Sequence, residues 1–278
     1  MIFTCNVTAQ TSLWDGSATV WSKGDGTKEH PFVIETASNL AYMSQFISKE
    51  SNSDFLYFEL KTDIDLNSIE WKPMGTENSS FTGYFDGNDH IISNLKIHNE
   101  HLESIGLFGN AKDAIISNLT VINATIMGDK NVGGICGYAN NCQIKNCKFQ
   151  GILSSDTENC HLGGICGVDV NGKIINCQTS GEIQVSGMEC EAGGIVGTSS
   201  GEIRKCENHS LITGVQMSRF IGASYLGGIC GVMQTNLISQ CKNYGNINSS
   251  SSTYYMAYLG GIASSTELGS IISGCCNS

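Results

Sequence analysis

One pentad constrains the fold of this chain more than any other feature. Gly133-Gly134-Ile135-Cys136-Gly137 returns as Gly163-Gly164-Ile165-Cys166-Gly167, as Gly193-Gly194-Ile195-Val196-Gly197 and as Gly227-Gly228-Ile229-Cys230-Gly231. It fades at Gly260-Gly261-Ile262-Ala263. The first glycines are 30, 30, 34 and 33 residues apart. A fixed period of this size is the sequence mark of a solenoid or an array.

Two further positions keep step with the pentad. Cys147, Cys177, Cys206, Cys241 and Cys275 follow the first glycine of their units by 14, 14, 13, 14 and 15 residues. Ile126, Leu153, Ile183, Ile212 and Ile247 follow Gly106, Gly133, Gly163, Gly193 and Gly227 by 19 or 20. Each unit therefore holds three short β-branched runs separated by Gly, Asn, Ser and Asp, too short for helices. One such unit cannot bury its apolar face alone, whereas stacked units share one core. The expected fold is all-β: a right-handed parallel β-helix, or β-solenoid, the hand following the parallel-crossover rule. Ile135, Ile165, Ile195, Ile229 and Ile262 are predicted to form one internal ladder, and Cys147, Cys177, Cys206 and Cys241 another. The glycines are expected to supply positive-φ corners and close approach between rungs.

The N-terminal part has a different period. Leu40, Met43, Phe46 and Ile47 make the apolar stripe of one helix at about 37–48, with Thr36 or Ser38 as its cap. The expected division is 1–10 as a signal-peptide remnant or disordered tail, 11–80 as an N-terminal capping segment containing that helix, and 81–278 as β-helix repeats of about 23–34 residues. Val7-Thr8-Ala9 fits a small-x-small cleavage site with Gln10 as the new terminus. An open terminal rung at Gly274–Ser278 offers an edge for end-to-end contact with another chain.

Charge narrows the partners. The formal net charge is -11, and Lys plus Arg number only 15 without a cluster. Nucleic acid and anionic membranes are poor candidates as partners on that balance. No apolar run approaches the ~20 residues of a transmembrane helix.

The chain has 13 cysteines. In-register Cβ atoms one rung apart sit further apart than in an unstrained disulfide. Val196, Ala263, Leu95 and Leu119 also replace Cys at equivalent positions. Most thiols are thus expected to be reduced, buried and inert. Cys160 and Cys190, each three residues before a Gly-Gly, are the pair expected to bridge.

Catalytic chemistry finds no motif. His98-Asn99-Glu100-His101 lacks the spacing of a zinc peptidase helix and is read as a loop. Cys136, Cys142 and Cys147 have only loosely zinc-like spacing. No catalytic residue and no cofactor is assigned. The one acidic group worth testing for calcium is Asp63, Asp65, Asp86 and Asp89, since Asp63 and Asp65 alternate along a strand; Asx turns are the bland reading. The longer spacings place extra residues before Gly227 and Gly260, including Met217, Arg219 and Met256. The binding candidates among them are Phe220, Tyr225, Tyr254, Tyr255 and Tyr258. Insertions in repeat proteins gather on one face, often the binding face, and exposed Tyr suits sugar or protein contact. The competing role is to shield the last rungs.

An ordered set of short motifs carries a family likeness. Trp14-Asp15-Gly16, Gly24-Asp25-Gly26-Thr27, Pro31-Phe32-x-Ile34, Tyr57-Phe58-x-Leu60, Asp63-Ile64-Asp65-Leu66, Trp71-x-Pro73-Met74-Gly75 and Phe81-x-Gly83-x-Phe85-Asp86-Gly87 precede Gly106-Leu107-Phe108-Gly109 and the pentad array. The set resembles the GLUG-motif surface proteins of gut Bacteroidetes and Firmicutes, whose modules also occur beside IgA-peptidase domains. The resemblance implies an exported, cell-surface β-helical module without catalytic residues of its own. The expected function is a secreted or surface-displayed bacterial module for adhesion or extracellular recognition of a glycan or host protein. The alternatives are a β-helical enzyme acting on glycans and a passive stalk.

Overall fold

The structure is a computed structural model that describes residues 13–49, 55–99, 101–215, 222–234, 237–250 and 255–278. It is a β-solenoid. Four parallel sheets of nine, ten, six and six strands run along it, and each coil contributes to them in turn. The inner column of the first sheet reads Phe58, Phe85, Ile116, Ile144, Ile174, Ile203, Ile238 and Ile272. The second carries Ile97, Ile126, Leu153, Ile183, Ile212 and Ile247 in register. The third carries Ile105, Val132, Leu162, Ala192, Leu226 and Leu259. The fourth carries Phe108, Cys136, Cys166, Val196, Cys230 and Ala263. Stacking equivalent residues buries each apolar side chain between its counterparts above and below, and these columns are the core.

The expected isoleucine ladder forms at the bend between the third and fourth sheets. Ile135, Ile165, Ile195 and Ile229 are fully buried. Their backbone N–H groups each donate to the isoleucine carbonyl one coil on, at 2.8–3.1 Å.

The pentad glycines act by close approach alone. None has positive φ; the left-handed corner positions are held mainly by Asn, such as Asn118, Asn146 and Asn176. A Cβ on Gly133 would lie 1.9 Å from the Cys136 carbonyl oxygen. One on Gly137 would lie 2.5 Å from Ile105 N. The chain therefore doubles back on itself, and at these glycines the third and fourth sheets approach backbone to backbone along a seam.

The sheets reach upstream of Phe81. Phe32–Ile34 and Tyr57–Leu60 already stand in register in the first sheet. Large aromatics replace the glycine pentad in these coils. Trp21 packs on Phe32, Tyr42, Phe46 and Phe58 with ring centroids 4.6–5.7 Å apart. The helix, Ala37–Lys49, buries Leu40, Met43 and Ile47. Of its two candidate caps, Thr36 accepts the Asn39 N–H at 3.1 Å. Ser79 Oγ donates to the Ile47 carbonyl near its other end. Residues 1–12, with the expected cleavage site, lie outside the described residues.

The cysteine column is more than apolar filling. Cys177, Cys206 and Cys241 each donate their backbone N–H to the sulfur of the next cysteine in the column, at 3.4 Å. Each thiol in turn donates to the carbonyl two residues before it. Leucine, which holds the place at Leu95 and Leu119, offers neither bond. Burial pushes the Cys142 thiol up to about 12 and those of Cys177 and Cys206 well above the ordinary value. These thiols stay protonated and are poor nucleophiles. Cys160 and Cys190 form a disulfide between adjacent coils, with Cα atoms 4.6 Å apart.

Candidate functional site

The outer face beside the glycine seam gathers the most chemistry. One row on the third sheet reads Ser104, Asn131, His161, Glu191, Tyr225 and Tyr258, one residue per coil. Facing it across the seam, the fourth sheet presents Asn110, Tyr138, Val168, Thr198 and Val232. The alternation of strand side chains puts these residues outward while their neighbours fill the core.

Two of the expected binding residues are in this row. Tyr225 and Tyr258 stack with ring centroids 5.1 Å apart and planes 11° from parallel. They sit on strands, contrary to the loop expectation. The extra residues lengthen the third-sheet strands from three residues to six, Gly222–Gly227 and Tyr255–Gly260, paired throughout. Spacing places the extra residues before Gly227 and Gly260 and does not say whether they loop out or lengthen a strand. Tyr255 pairs through its backbone; its side chain, with Phe220 and Tyr254, lies outside the described residues.

His161, Glu191 and Thr198 meet across the seam. His161 Nδ1 lies 3.2 Å from Glu191 Oε2 and 3.0 Å from Thr198 Oγ1, and the Thr198 hydroxyl donates to the same Glu191 oxygen. Acyl transfer needs hydroxyl, imidazole and carboxylate in series, with the imidazole between the other two. Here the carboxylate holds the hydroxyl directly, and one imidazole nitrogen faces both. The triangle ties the two walls of the seam together. Nearer the helix end of the seam, a groove of about 350 Å³ is lined by Glu77, Glu103, Asn110, Lys112, Asn131 and Tyr138, among others.

The four aspartates named for calcium are spread over several corners. Asp63 Oδ1 accepts from Ile91 N and His90 Nδ1, which lowers its carboxyl below the usual range. Asp65 accepts from Asn67 N and Asn94 Nδ2, both at 2.7 Å. Asp86 accepts from Asn88 N and Asn118 Nδ2, both at 2.9 Å. The bonds from Asn67 N and Asn88 N are Asx turns, and the others tie each carboxylate to the next coil. Asp89 lies on a different groove, with Asn118, Asn146 and Asn176. Among the described residues, no three His, Cys, Asp or Glu side chains converge on one point. His98, expected in a loop, stands on the strand Lys96–Asn99.

Two more stacked pairs escaped the sequence reading. Tyr57 and Tyr84 lie 4.1 Å apart and 2° from parallel, and His209 and Tyr244 lie 4.8 Å apart. The repeated Tyr-Phe dipeptide, Tyr57-Phe58 and Tyr84-Phe85, was the available signal for the first.

Residues 128–154 match the family model described as the GLUG motif. The chain carries the GLUG motif. The match spans one coil of the solenoid, from the end of one second-sheet strand across the seam to the next. The GLUG glycines Gly133 and Gly137 are thus the seam itself. Halomucin of Haloquadratum walsbyi is 31% identical over 140 residues, 45% of this chain. A protein of Evansella cellulosilytica, provisionally described as a Gly-rich membrane protein, is 32% identical over 124 residues, 42% of this chain. The matches span only 2% and 13% of those relatives' own lengths. Among solved structures, one provisionally described as an immunoglobulin A1 protease from Bacteroides ovatus superposes with a TM-score of 0.59 at 21% identity, over 87% of each chain. Another, an IgA1 protease, gives 0.64 at 22% identity over 87% of this chain and 19% of its own. At such identities the likeness is one of fold. No helix among the described residues is long and apolar enough to cross a membrane.

Proposed function

We propose that this chain is a surface-displayed recognition module that binds an extracellular ligand along the glycine seam and performs no catalysis of its own. The observation that carries the reading is the outer row from Ser104 to Tyr258. It presents polar and aromatic side chains at one per coil on a rigid scaffold, ending in the stacked Tyr225–Tyr258 pair. Flat aromatic rings give large contact area at little conformational cost, and hydrogen-bonding neighbours orient a ligand. The sequence relatives, one a halomucin and one described by its membrane location, support an extracellular setting. The closed His161–Glu191–Thr198 triangle supports a binding role for this face over a hydrolytic one.

Biolayer interferometry of the immobilised chain against extracellular polysaccharides and secreted host glycoproteins tests this. The expected result is a ligand whose affinity falls roughly tenfold in the Tyr225→Ala/Tyr258→Ala double variant, about 1.4 kcal/mol. Binding that the double variant leaves intact, or release of cleaved fragments, counts against it.

A further inference from the structure

A second surface carries a ligand class with it. On the corner between the first and second sheets, Asn118 Nδ2 donates to Asp86 Oδ1 at 2.9 Å, Asn146 to Asn118 at 2.8 Å, and Asn176 to Asn146 at 2.9 Å. All three asparagines hold the left-handed backbone conformation, with φ of 53–55°. A groove of about 570 Å³ runs along this ladder, bounded by Lys148, Gln178 and Glu207 on the second sheet and by Asp89 and Lys205. At its margin Gln178 Nε2 lies 3.4 Å from His209 Nε2, and His209 stacks on the half-exposed Tyr244.

We propose that this groove binds a linear, uncharged polysaccharide lying parallel to the solenoid axis. A carboxamide has two donor hydrogens and two acceptor lone pairs. A link in the ladder uses one donor and one acceptor, which leaves an N–H and a lone pair on an interior member such as Asn146. The ladder fixes each amide plane, so the remaining groups are already oriented when a ligand arrives and little ordering cost remains. They recur every ~4.8 Å along the axis, the spacing of parallel strands. An extended sugar chain offers hydroxyls on a comparable repeat, each able to donate and accept. At the groove's margin the His209–Tyr244 stack supplies an aromatic rim against which a pyranose ring can pack its C–H groups. Lys148 and Lys205 balance Asp89 and Glu207, and the chain's net charge of -11 repels a polyanion. An uncharged chain is what that balance admits.

The proposal shares the extracellular setting of the recognition role above and adds a second face to it. Affinity electrophoresis through gels containing hydroxyethyl cellulose, galactomannan or mixed-linkage β-glucan tests it, with polygalacturonate and alginate as polyanionic controls. Two variants disable the groove. Gln178→Ala/Tyr244→Ala strips the wall and leaves the ladder intact. Asn146→Gly/Asn176→Gly removes the amides and keeps the backbone conformation, since glycine accepts positive φ. Retardation by at least one neutral polysaccharide is expected, weakened about tenfold by each groove variant and unchanged by Tyr225→Ala/Tyr258→Ala. Melting curves confirm that Gln178→Ala/Tyr244→Ala is folded. No retardation by any neutral polysaccharide, retardation by polyanions alone, or retardation that both groove variants retain overturns the proposal. Retardation lost only in the seam variant overturns the groove while leaving the recognition role standing.

Discussion

The two ends of the solenoid are built from different materials. The early coils are packed with large rings: Phe58, Phe81, Phe85 and Phe108 are all buried, with Phe81 and Phe85 within 5.4 Å of Phe108. The helix and Trp21 close over them. In the later coils one interior column changes character. Val121 and Phe149 give way to Thr179, Asn208, Asn243 and Asn277, linked by side-chain hydrogen bonds of 2.7–2.9 Å. On the last coil, core-column residues such as Ile272 and Leu259 are 44% and 50% exposed. A ring excludes water in every direction, whereas a buried amide is tolerated only while its neighbours in the column satisfy it. Early coils are therefore held by area, and later coils by continuity.

Four measurements break or sharpen this contrast. Phe85→Ala should cost about 3–5 kcal/mol through lost burial and a cavity, read from the urea unfolding midpoint. Ile272→Ala on the exposed last coil should cost under about 1 kcal/mol. Equal losses at the two ends would remove the distinction.

Asp169 is the next largest. It stands in the interior between Ala139 and Ser199, almost wholly buried, and its Oδ1 has no hydrogen-bond partner among the described residues. Burial raises its carboxyl to about 6, only partly offset by the Ser199 hydroxyl and the Gly172 backbone. Between its unfolded value near 3.8 and about 6, the folded chain keeps a proton that the unfolded chain has lost. Stability therefore falls as pH rises through that window, by something on the order of 3 kcal/mol, and is flat on either side as far as this group is concerned. Asp169→Asn should abolish that slope. Thermal melts of both proteins at pH 4 and pH 7.5 give the comparison, and parallel shifts in the two would show that Asp169 is not the cause.

Asn208→Ala removes the acceptor of the Thr179 hydroxyl and of the Ser210 N–H, together with the donor to Asn243 Oδ1, and should cost about 1–2 kcal/mol. Hydrogen exchange should show the loss concentrated in the later coils, as expected when coils interact only with neighbours. A loss spread evenly along the chain would argue against the column. The smallest effect is that of Tyr225→Ala/Tyr258→Ala, within roughly 0.5 kcal/mol for the exposed Tyr258 and somewhat more for the half-buried Tyr225. A larger fall in melting temperature would make the tyrosines a shield for the last coils and weaken the recognition reading.

Much of this was legible from spacing. The period of the pentad fixes which residues stack, so the isoleucine and cysteine columns and the Cys160–Cys190 pair could be named in advance. What stayed hidden is informative. Asn118, Asn146 and Asn176 each precede a Leu or Cys of the column, yet an Asn at a corner is expected for its backbone alone, and nothing local shows that it also bonds its neighbour. Asp169 shares its column with Ala139 and Ser199, and residue type gave no sign that a carboxylate would point inward. The early strands were assigned to a separate capping segment because their coils use aromatic bulk in place of the glycine pentad.

The disulfide has a mechanical meaning. Hydrogen bonds between coils run along the solenoid axis, so tension on the two ends peels the chain one coil at a time. Cys160 and Cys190 are 30 residues apart and join adjacent coils. A peeling front that reaches them cannot pay out the segment between, which would otherwise extend by about 100 Å. Oxidised and reduced chains therefore differ in how far they stretch, by roughly one coil, and the bond acts as a stop in an otherwise continuous unwinding.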